Sequence, residues 1–349
     1  MTTQQIDVGI LGATGTVGQQ FIRLLASHPW FRPAWLGASE RSEGRAYSDA
    51  CAWRLPVPLS DGIARMRVDA CVPGAAPRLV FSGLDAAAAK DIEPAFAAAG
   101  HLVVSNARNF RMEPDVPLLI PEINGDHLAL LECQQRARGW SGAIVTNPNC
   151  STVVLSMVLA ALRRFDIERV MVTTLQAISG AGYPGVASLD IVGNVVPFIS
   201  GEEEKIESEP QKILGRLSGS MVTPHPMVIS AQTTRVPVVD GHTEAISIGF
   251  ARVPLIADLR SALETFRGAP QELGLPSAPA HPIAYLDRPE RPQPRLDVDR
   301  GDGMTVSVGR LRECRVLHHK LVALGHNTVR GAAGAAILNA ELMKARGLL

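Results

Sequence analysis

An α/β protein of two unlike domains is what this sequence encodes: a parallel sheet flanked by helices, then an α+β unit. Three observations lead there. Short apolar runs alternate with helix-like segments as far as Thr146, the pattern of strand–helix units. The texture changes after Cys150, where a helix leads into longer β-like runs. At 349 residues the chain has the length of roughly two domains. Apolar residues make up 46% and aromatics 5%, which suits an alanine- and valine-rich chain with ample core.

The elements follow in order. Ile6 to Leu11 reads as a buried strand and runs into a glycine turn, Gly12-Ala-Thr-Gly-Thr-Val-Gly18. Val17, Phe21, Leu24 and Leu25 then fall on one helix face. Further strands are expected at Ala34–Ala38, Leu79–Ser82, Leu102–Ser105 and Ala143–Thr146, with an alanine-rich helix from Ala86 to Ala99. A helix from Ser151 to Arg164 opens the second unit. Strands are expected at Arg169–Ile178, Val222–Ser230, Ala245–Val253 and Met304–Leu311. The proline-rich stretch from Ala269 to Pro294 reads as a surface excursion. An alanine-rich helix spans Thr328 to Arg346, and no internal repeat is present.

Formal net charge is zero, so bulk charge recruits neither nucleic acid nor a membrane surface. No run approaches the ~20 apolar residues of a membrane span. The first residues carry no signal-peptide pattern, so a cytoplasmic protein is expected. Five scattered cysteines, none in a C-x-x-C pair, make poor material for a zinc site or a disulfide framework. No metal is expected.

Gly12, Gly15 and Gly18 between strand and helix form a G-x-x-G-x-x-G turn, the signature of a Rossmann-like dinucleotide-binding domain. Such glycines let the backbone close on a pyrophosphate, and the helix N-terminus offers free N–H groups. Thr14, Thr16 and Val17 share that turn. After the second strand, Ser39, Arg41 and Ser42 suit the 2′-phosphate of NADP, whereas Glu40 suits the ribose of NAD. NADP is the favoured cofactor.

Cys150 sits in Val145-Thr-Asn-Pro-Asn-Cys-Ser-Thr-Val-Val154, where an apolar strand gives way through a turn to a helix. Ser151 and Thr152 suit helix capping. A cysteine at a helix N-terminus is expected to have a lowered pKa and to face N–H groups able to hold an oxyanion. It reads as a nucleophile. A nucleophilic thiol needs a proton-transfer partner. His242, beside Gly241 at a loop–strand junction, is one candidate among His225, His318, His319 and His326.

Eight segments now converge: GILGATGTVGQQF, GASERSEGRAY, SNARNFRMEPDVPLLIPEIN, TNPNCSTVV, LQAISGAGYPG, GEEEKIESEPQKIL, RVPVVDGHTEA and GHNTVRGAAGA. From residue 9 to about residue 335 the chain resembles the aspartate-β-semialdehyde dehydrogenase family, in its archaeal and fungal type. That resemblance implies NADPH-dependent reductive dephosphorylation of L-aspartyl 4-phosphate through a cysteine thioester, in the biosynthesis of lysine, threonine, methionine and isoleucine. It implies an NADP-binding domain of residues 1–149 with 327–349, and a catalytic and dimerisation domain of residues 150–326. By resemblance Cys150 is the nucleophile, His242 the acid/base, Gln176 the residue orienting the reacting centre and Asn149 its neighbour. Arg235 matches the binder of the substrate carboxylate and Glu209 that of its ammonium. Arg111 and Lys212 match the phosphate pair, and Asn327 lies near the nicotinamide. The implied partners are a small-molecule substrate, inorganic phosphate and further copies of the chain, as a homodimer or dimer of dimers. The rival readings are N-acetyl-glutamyl-phosphate reductase, malonyl-CoA reductase and a non-catalytic NADP-binding regulator.

Overall fold

Residues 5–349 are described by the computed structural model. Strands β1 (Ile6–Leu11), β2 (Phe31–Ala38), β3 (Val68–Ala70), β4 (Leu79–Ser82), β5 (Leu102–Ser105) and β6 (Ala143–Thr146) form one sheet in the order β3-β2-β1-β4-β5-β6. All neighbouring pairs are parallel. β4, β5 and β6 are buried along their whole length, so they read as unbroken apolar runs. Strand order reverses between β1 and β4, and the crevice at such a switch point is where open α/β sheets bind ligands. The sequence reading missed β3, whose three residues include one buried side chain, Val68, too little for a periodic signal.

Helix α1 (Thr16–Leu25) leaves the glycine turn directly. Gly12 adopts φ +73°, and a Cβ on Gly18 would lie 2.3 Å from the Gly12 carbonyl oxygen. A side chain at Gly18 would push the helix off the strand end, and one at Gly12 would be strained and would lie 2.9 Å from the Gly83 carbonyl oxygen. Helices α2 (Ala86–Ala98) and α3 (Leu130–Arg138) cover the sheet further along.

The second sheet contains β7 (Ile167–Gln176), β10 (Val228–Arg235), β11 (His242–Phe250), β12 (Ile283–Leu286), β13 (Val306–Glu313) and β14 (His319–Gly325), in the order β10-β7-β11-β14-β13-β12. Its two outermost pairs are parallel and the inner three antiparallel. Two expectations fail here. The single strand expected at Val222–Ser230 is two elements: β9 (Met221–Thr223) pairs with β8 (Arg216–Ser218) in a separate hairpin, and β10 begins only at Val228. Pro224 and Pro226 interrupt the run, because proline cannot donate to a ladder. Nor is the proline-rich stretch all surface. It contributes β12 to the sheet edge, where proline neighbours are tolerated, and buries Leu275 in the core of the first domain.

Against the second sheet runs α4 (Cys150–Leu162), with every residue from Ser151 to Leu162 buried. It packs on the second sheet and against α5 (Glu203–Ile213), and its apolar residues therefore show no single stripe. Helix α5 comes from the acidic run that looked like a solvated face, yet Ile206, Glu209, Lys212 and Ile213 are buried. Helix α6 (Ile256–Thr265) covers the same sheet near β12 and β13. No helix among the described residues is long and apolar enough to cross a membrane.

The chain then returns to the first domain. Val329–Ala333 form one wide π-type turn leading into α7 (Gly334–Ala345), whose Ile337, Leu338, Leu342 and Met343 complete the first core. Arg330, fully buried, forks both Nη atoms onto the Glu122 carboxylate at 2.7 and 2.8 Å. Removing one member of a buried ion pair strands the other charge. Arg330→Met should therefore lower unfolding free energy by about 3–5 kcal/mol, measured by denaturant titration. A loss below about 1 kcal/mol would show that the pair is not a structural tie.

Candidate active site

Cys150 is the first residue of α4, and Asn149 is its N-cap. Asn149 Oδ1 accepts from the amides of Ser151 at 2.9 Å and Thr152 at 3.2 Å. The expected capping by Ser151 and Thr152 is thus corrected: their hydroxyls are buried without partners, and Asn149 does the capping. Those two amides are no longer free to hold an oxyanion. Gly331 brings the returning chain against this helix end, where a Cβ would come within 2.6 Å of the cysteine Cβ.

His242, the first residue of β11, places Nε2 3.2 Å from Cys150 Sγ. The competing histidines are engaged elsewhere. His225 and His318 accept backbone amides, His319 contacts the Pro254 carbonyl, and His326 faces Asp299. His242 Nδ1 accepts the amide of Ala177 at 3.1 Å. An acceptor nitrogen carries no proton, so the neutral ring holds its proton on Nε2 and donates it toward sulfur. The Ala177 carbonyl meanwhile accepts from Arg235 Nη1 at 2.7 Å. One residue between β7 and the following loop thus fixes both the imidazole and the guanidinium. Gly180 lies over the pair, its absent Cβ leaving 2.9 Å to Arg235 Nη1 and 3.1 Å to His242 Nε2. Gln176, at the end of β7, is buried, with Nε2 3.3 Å from Thr174 Oγ1.

Electrostatics overturn one expectation. Burial pushes the Cys150 thiol up to about 12, and Glu202 adds to this, against smaller lowering effects of Arg111, Arg235 and the Ser151 amide. Burial likewise pushes His242 down to about 3, helped by Arg235 and His326. The helix N-terminus does not outweigh desolvation, and the ligand-free pair is a neutral thiol beside a neutral imidazole. Glu244, two residues along the same strand, is fully buried with both carboxyl oxygens unpartnered, and burial holds its carboxyl well above the usual range.

The acidic helix α5 and its N-cap residue supply one carboxylate each, Glu209 and Glu202. Glu209 Oε1 accepts from Arg111 Nη1 at 2.9 Å, and Oε2 from the Asn149 amide at 2.7 Å. Glu202, which the sequence reading passed over inside the run Glu202-Glu-Glu-Lys205, accepts from Asn149 Nδ2 at 2.6 Å and pairs with Lys205 at 2.8 Å. Its only sequence signal was a place about two helical turns upstream of Glu209. Lys212 Nζ donates to the carbonyls of Arg111, Glu113 and Val116 at 2.7, 2.7 and 2.8 Å. All three ammonium protons are committed, so Lys212 ties down the Arg111 loop instead of facing the cavity. Burial lowers its pKa to about 8. Arg111 also donates to the Asn106 carbonyl at 2.7 Å, while its Nε is buried without a partner.

Two connected spaces lead to the cysteine and meet at Thr16, Val17 and Gly182. A groove of about 790 Å³ is lined by Gly12, Thr14, Gly15, Thr16, Val17 and Ser39, among others. No side chain caps α1, so its first amides are available to a phosphate. Arg41 and Ser42 are not in the groove wall: Arg41 is exposed, and Ser42 is buried in a turn closed by its amide on the Ser39 carbonyl. Glu40 and Arg54 line it instead. A second cavity of about 220 Å³ is lined by Arg111, Asn149, Cys150, Gly180 and Asn327, and it shares Thr16, Val17 and Gly182 with the groove. Asn327 also staples two loops, accepting from the Gly241 amide at 2.8 Å and donating to Ser179 Oγ at 2.7 Å.

Comparison with known proteins agrees with this anatomy. Residues 7–131 match the family described as semialdehyde dehydrogenase, NAD binding domain, and residues 159–330 match semialdehyde dehydrogenase, dimerisation domain. An aspartate-semialdehyde dehydrogenase of Methanothermobacter thermautotrophicus is 51% identical over 343 residues, spanning 97% of this chain and 99% of the relative. One from Cryptococcus neoformans is 50% identical, spanning 99% and 98%. The crystal structure of aspartate semialdehyde dehydrogenase with NADP from Candida albicans has a TM-score of 0.91 at 46% identity, over 99% of this chain and 100% of that one.

Two measurements check the electrostatics. Nitrogen-15 spectra of the ligand-free protein should show His242 as the Nε2–H tautomer with no titration between about pH 5 and pH 8. A ring that titrates in that window would contradict the Ala177 contact. Because the folded-state pKa of Glu244 is raised, the folded state holds a proton that the unfolded chain releases above its ordinary carboxyl pKa. Its contribution therefore falls as pH rises from about 4.5, by at most about 1.4 kcal/mol per unit. Glu244→Gln should flatten that slope in urea denaturation and raise stability at neutral pH. An unaltered slope would mean that the carboxyl is not a buried neutral acid.

Proposed function

This chain belongs to the aspartate-semialdehyde dehydrogenase family, and from that premise we propose that it reduces L-aspartyl 4-phosphate to L-aspartate 4-semialdehyde with NADPH, releasing inorganic phosphate. The observation that carries this reading is the 3.2 Å contact between Cys150 Sγ and His242 Nε2, in a cavity continuous with the dinucleotide groove. The groove fits a dinucleotide: it holds a glycine turn that side chains would fill and an uncapped helix N-terminus. Gly12, Thr14, Gly15, Thr16 and Val17 would hold the phosphates, with Gly18 making room and Ser39 beside the adenosine ribose. When bound there, the nicotinamide supplies a hydride.

Cys150 is the nucleophile. Its sulfur attacks the acyl carbon, the bond from that carbon to the phosphate oxygen breaks, and the thiol proton leaves with the departing phosphate. A thioester carbon then accepts the hydride, the carbon–sulfur bond breaks, and one solvent proton restores the thiol. In its acid/base role His242 acts as the acid: it passes that proton to sulfur through Nε2–H, while the Ala177 amide holds Nδ1. Gln176 and Asn149 orient the reacting centre.

Substrate groups match the surrounding charges. Arg235 takes the α-carboxylate, as a guanidinium does in a bidentate pair. Arg111 takes the phosphate, its Nε–H being without a partner in the ligand-free protein, while Lys212 holds its loop. Glu209 is occupied by Arg111 and the Asn149 amide in the ligand-free protein. A phosphate arriving at Arg111 replaces that carboxylate and releases Glu209 toward the ammonium. The dimerisation domain is read as forming a homodimer or dimer of dimers, and the enzyme as cytoplasmic.

The test is NADP⁺ reduction with aspartate semialdehyde, which should require inorganic phosphate, set beside malonyl-CoA-dependent oxidation of NADPH, which should be absent. Cys150→Ala should abolish turnover while NADPH still binds. Turnover surviving in that variant would exclude Cys150 as nucleophile, and malonyl-CoA activity would move the enzyme to another acyl donor.

A further inference from the structure

The cofactor groove has an unusual charge inventory for a space that takes a polyphosphate. Its wall carries two carboxylates, Glu40 and Asp85, and a single cation, Arg54. Asp85 is compensated, since its carboxylate caps α2 through the amides of Ala87 and Ala88 at 2.8 and 3.0 Å. Arg54 is uncompensated. Among the described residues its guanidinium has neither an ion-pair nor a hydrogen-bond partner, and it lies 3.4 Å from the ring centroid of Tyr183.

That contact crosses between domains. Arg54 belongs to the segment after Tyr47, and Tyr183 to the loop that follows β7. Gly182, next to Tyr183, is also where the groove meets the Cys150 cavity. The Arg54 segment is anchored to the phosphate turn and not to the ribose end. Gln19, in α1, accepts the Arg54 amide at 2.9 Å and donates to the carbonyls of Ala52 and Thr14, each at 3.2 Å. Tyr47 OH donates to the Ala13 carbonyl at 2.8 Å.

We propose that Arg54 is the cation that binds the cofactor's pyrophosphate, and that the Tyr183 ring parks it across the groove until the dinucleotide arrives. This rests on the reading of the groove as an NADPH site. A pyrophosphate over the α1 N-terminus lies beside the turn that Gln19 ties to Arg54. A guanidinium–phosphate fork is stronger than an exposed cation–π contact, so the exchange runs toward the cofactor. Release of Tyr183 also unlinks the two domains at the point where the nicotinamide end enters. Arg54 thereby supplies a cation at a different part of the cofactor from the 2′-phosphate expected at Arg41.

Binding titrations with two probes test this. NADPH carries the pyrophosphate, whereas adenosine 2′-monophosphate carries only the 2′-phosphate end. Arg54→Ala should weaken NADPH about 10- to 100-fold and leave adenosine 2′-monophosphate unchanged, with partial recovery in Arg54→Lys. Tyr183→Leu should tighten NADPH by about 2- to 5-fold, because the resting contact no longer competes. Arg54 is exposed and its backbone anchor is untouched, so these variants should fold. Unchanged NADPH affinity in Arg54→Ala would overturn the inference, as would an equal loss for both probes, which would make Arg54 a reader of the 2′-phosphate. Weaker NADPH binding in Tyr183→Leu would overturn the parking role. A wild-type protein that binds no NADPH would overturn the reading of the groove and this inference with it.

Discussion

Asn149 commits its side-chain polar groups and its own amide to joining one helix end to a second helix, and the candidate site is organised around that commitment. Its Oδ1 satisfies two first-turn amides, its Nδ2 meets Glu202, and its backbone N–H meets Glu209. Glu209 in turn holds Arg111, whose loop Lys212 fastens through three carbonyls. Cys150 is thus placed by a chain of buried contacts that begins one residue before it and ends in another helix. Such a network is strong only when complete, because each unmet buried group carries its full desolvation cost.

Burial explains the resting chemistry as well as the architecture. A thiolate at a helix N-terminus is favoured by the dipole, yet the effect is modest beside the desolvation of a buried anion. Glu202 makes the balance worse for a thiolate, while Arg111 and Arg235 improve it. The ligand-free centre is therefore quiet, and its reactive form depends on what enters. The hydrogen bond from Ala177 to His242 has the same effect, since it leaves the imidazole no second proton site without breaking a backbone contact.

Much of this was legible in the residues. The first sheet announced itself through apolar runs that are buried on both faces, and the glycine turn marked the groove because backbone closeness demands glycine. Cys150 was legible as the head of a helix. What the residues concealed was mostly pairing at a distance. The run Glu202-Glu-Glu-Lys-Ile-Glu-Ser-Glu209 looks solvated unless one knows that Arg111 and Asn149 lie against it. Arg41, expected from its position after β2, is exposed and does not line the groove of the ligand-free protein, whereas Arg54 enters it from a segment with no motif. Local pattern reports burial and turns, whereas these assignments depend on contacts between residues far apart in the chain.

The returning helix α7 has a consequence for how the molecule is made. Leu275 and the apolar residues of α7 belong to the core built by strands β1 to β6, and Arg330 neutralises Glu122 inside it. A ribosome delivers those strands long before it delivers their covering. The early half of the chain must therefore wait, with part of its sheet bare and one acidic side chain unmatched, until the late half has been synthesised. Chaperone dependence during translation, and not after release, is the vulnerability this wiring creates.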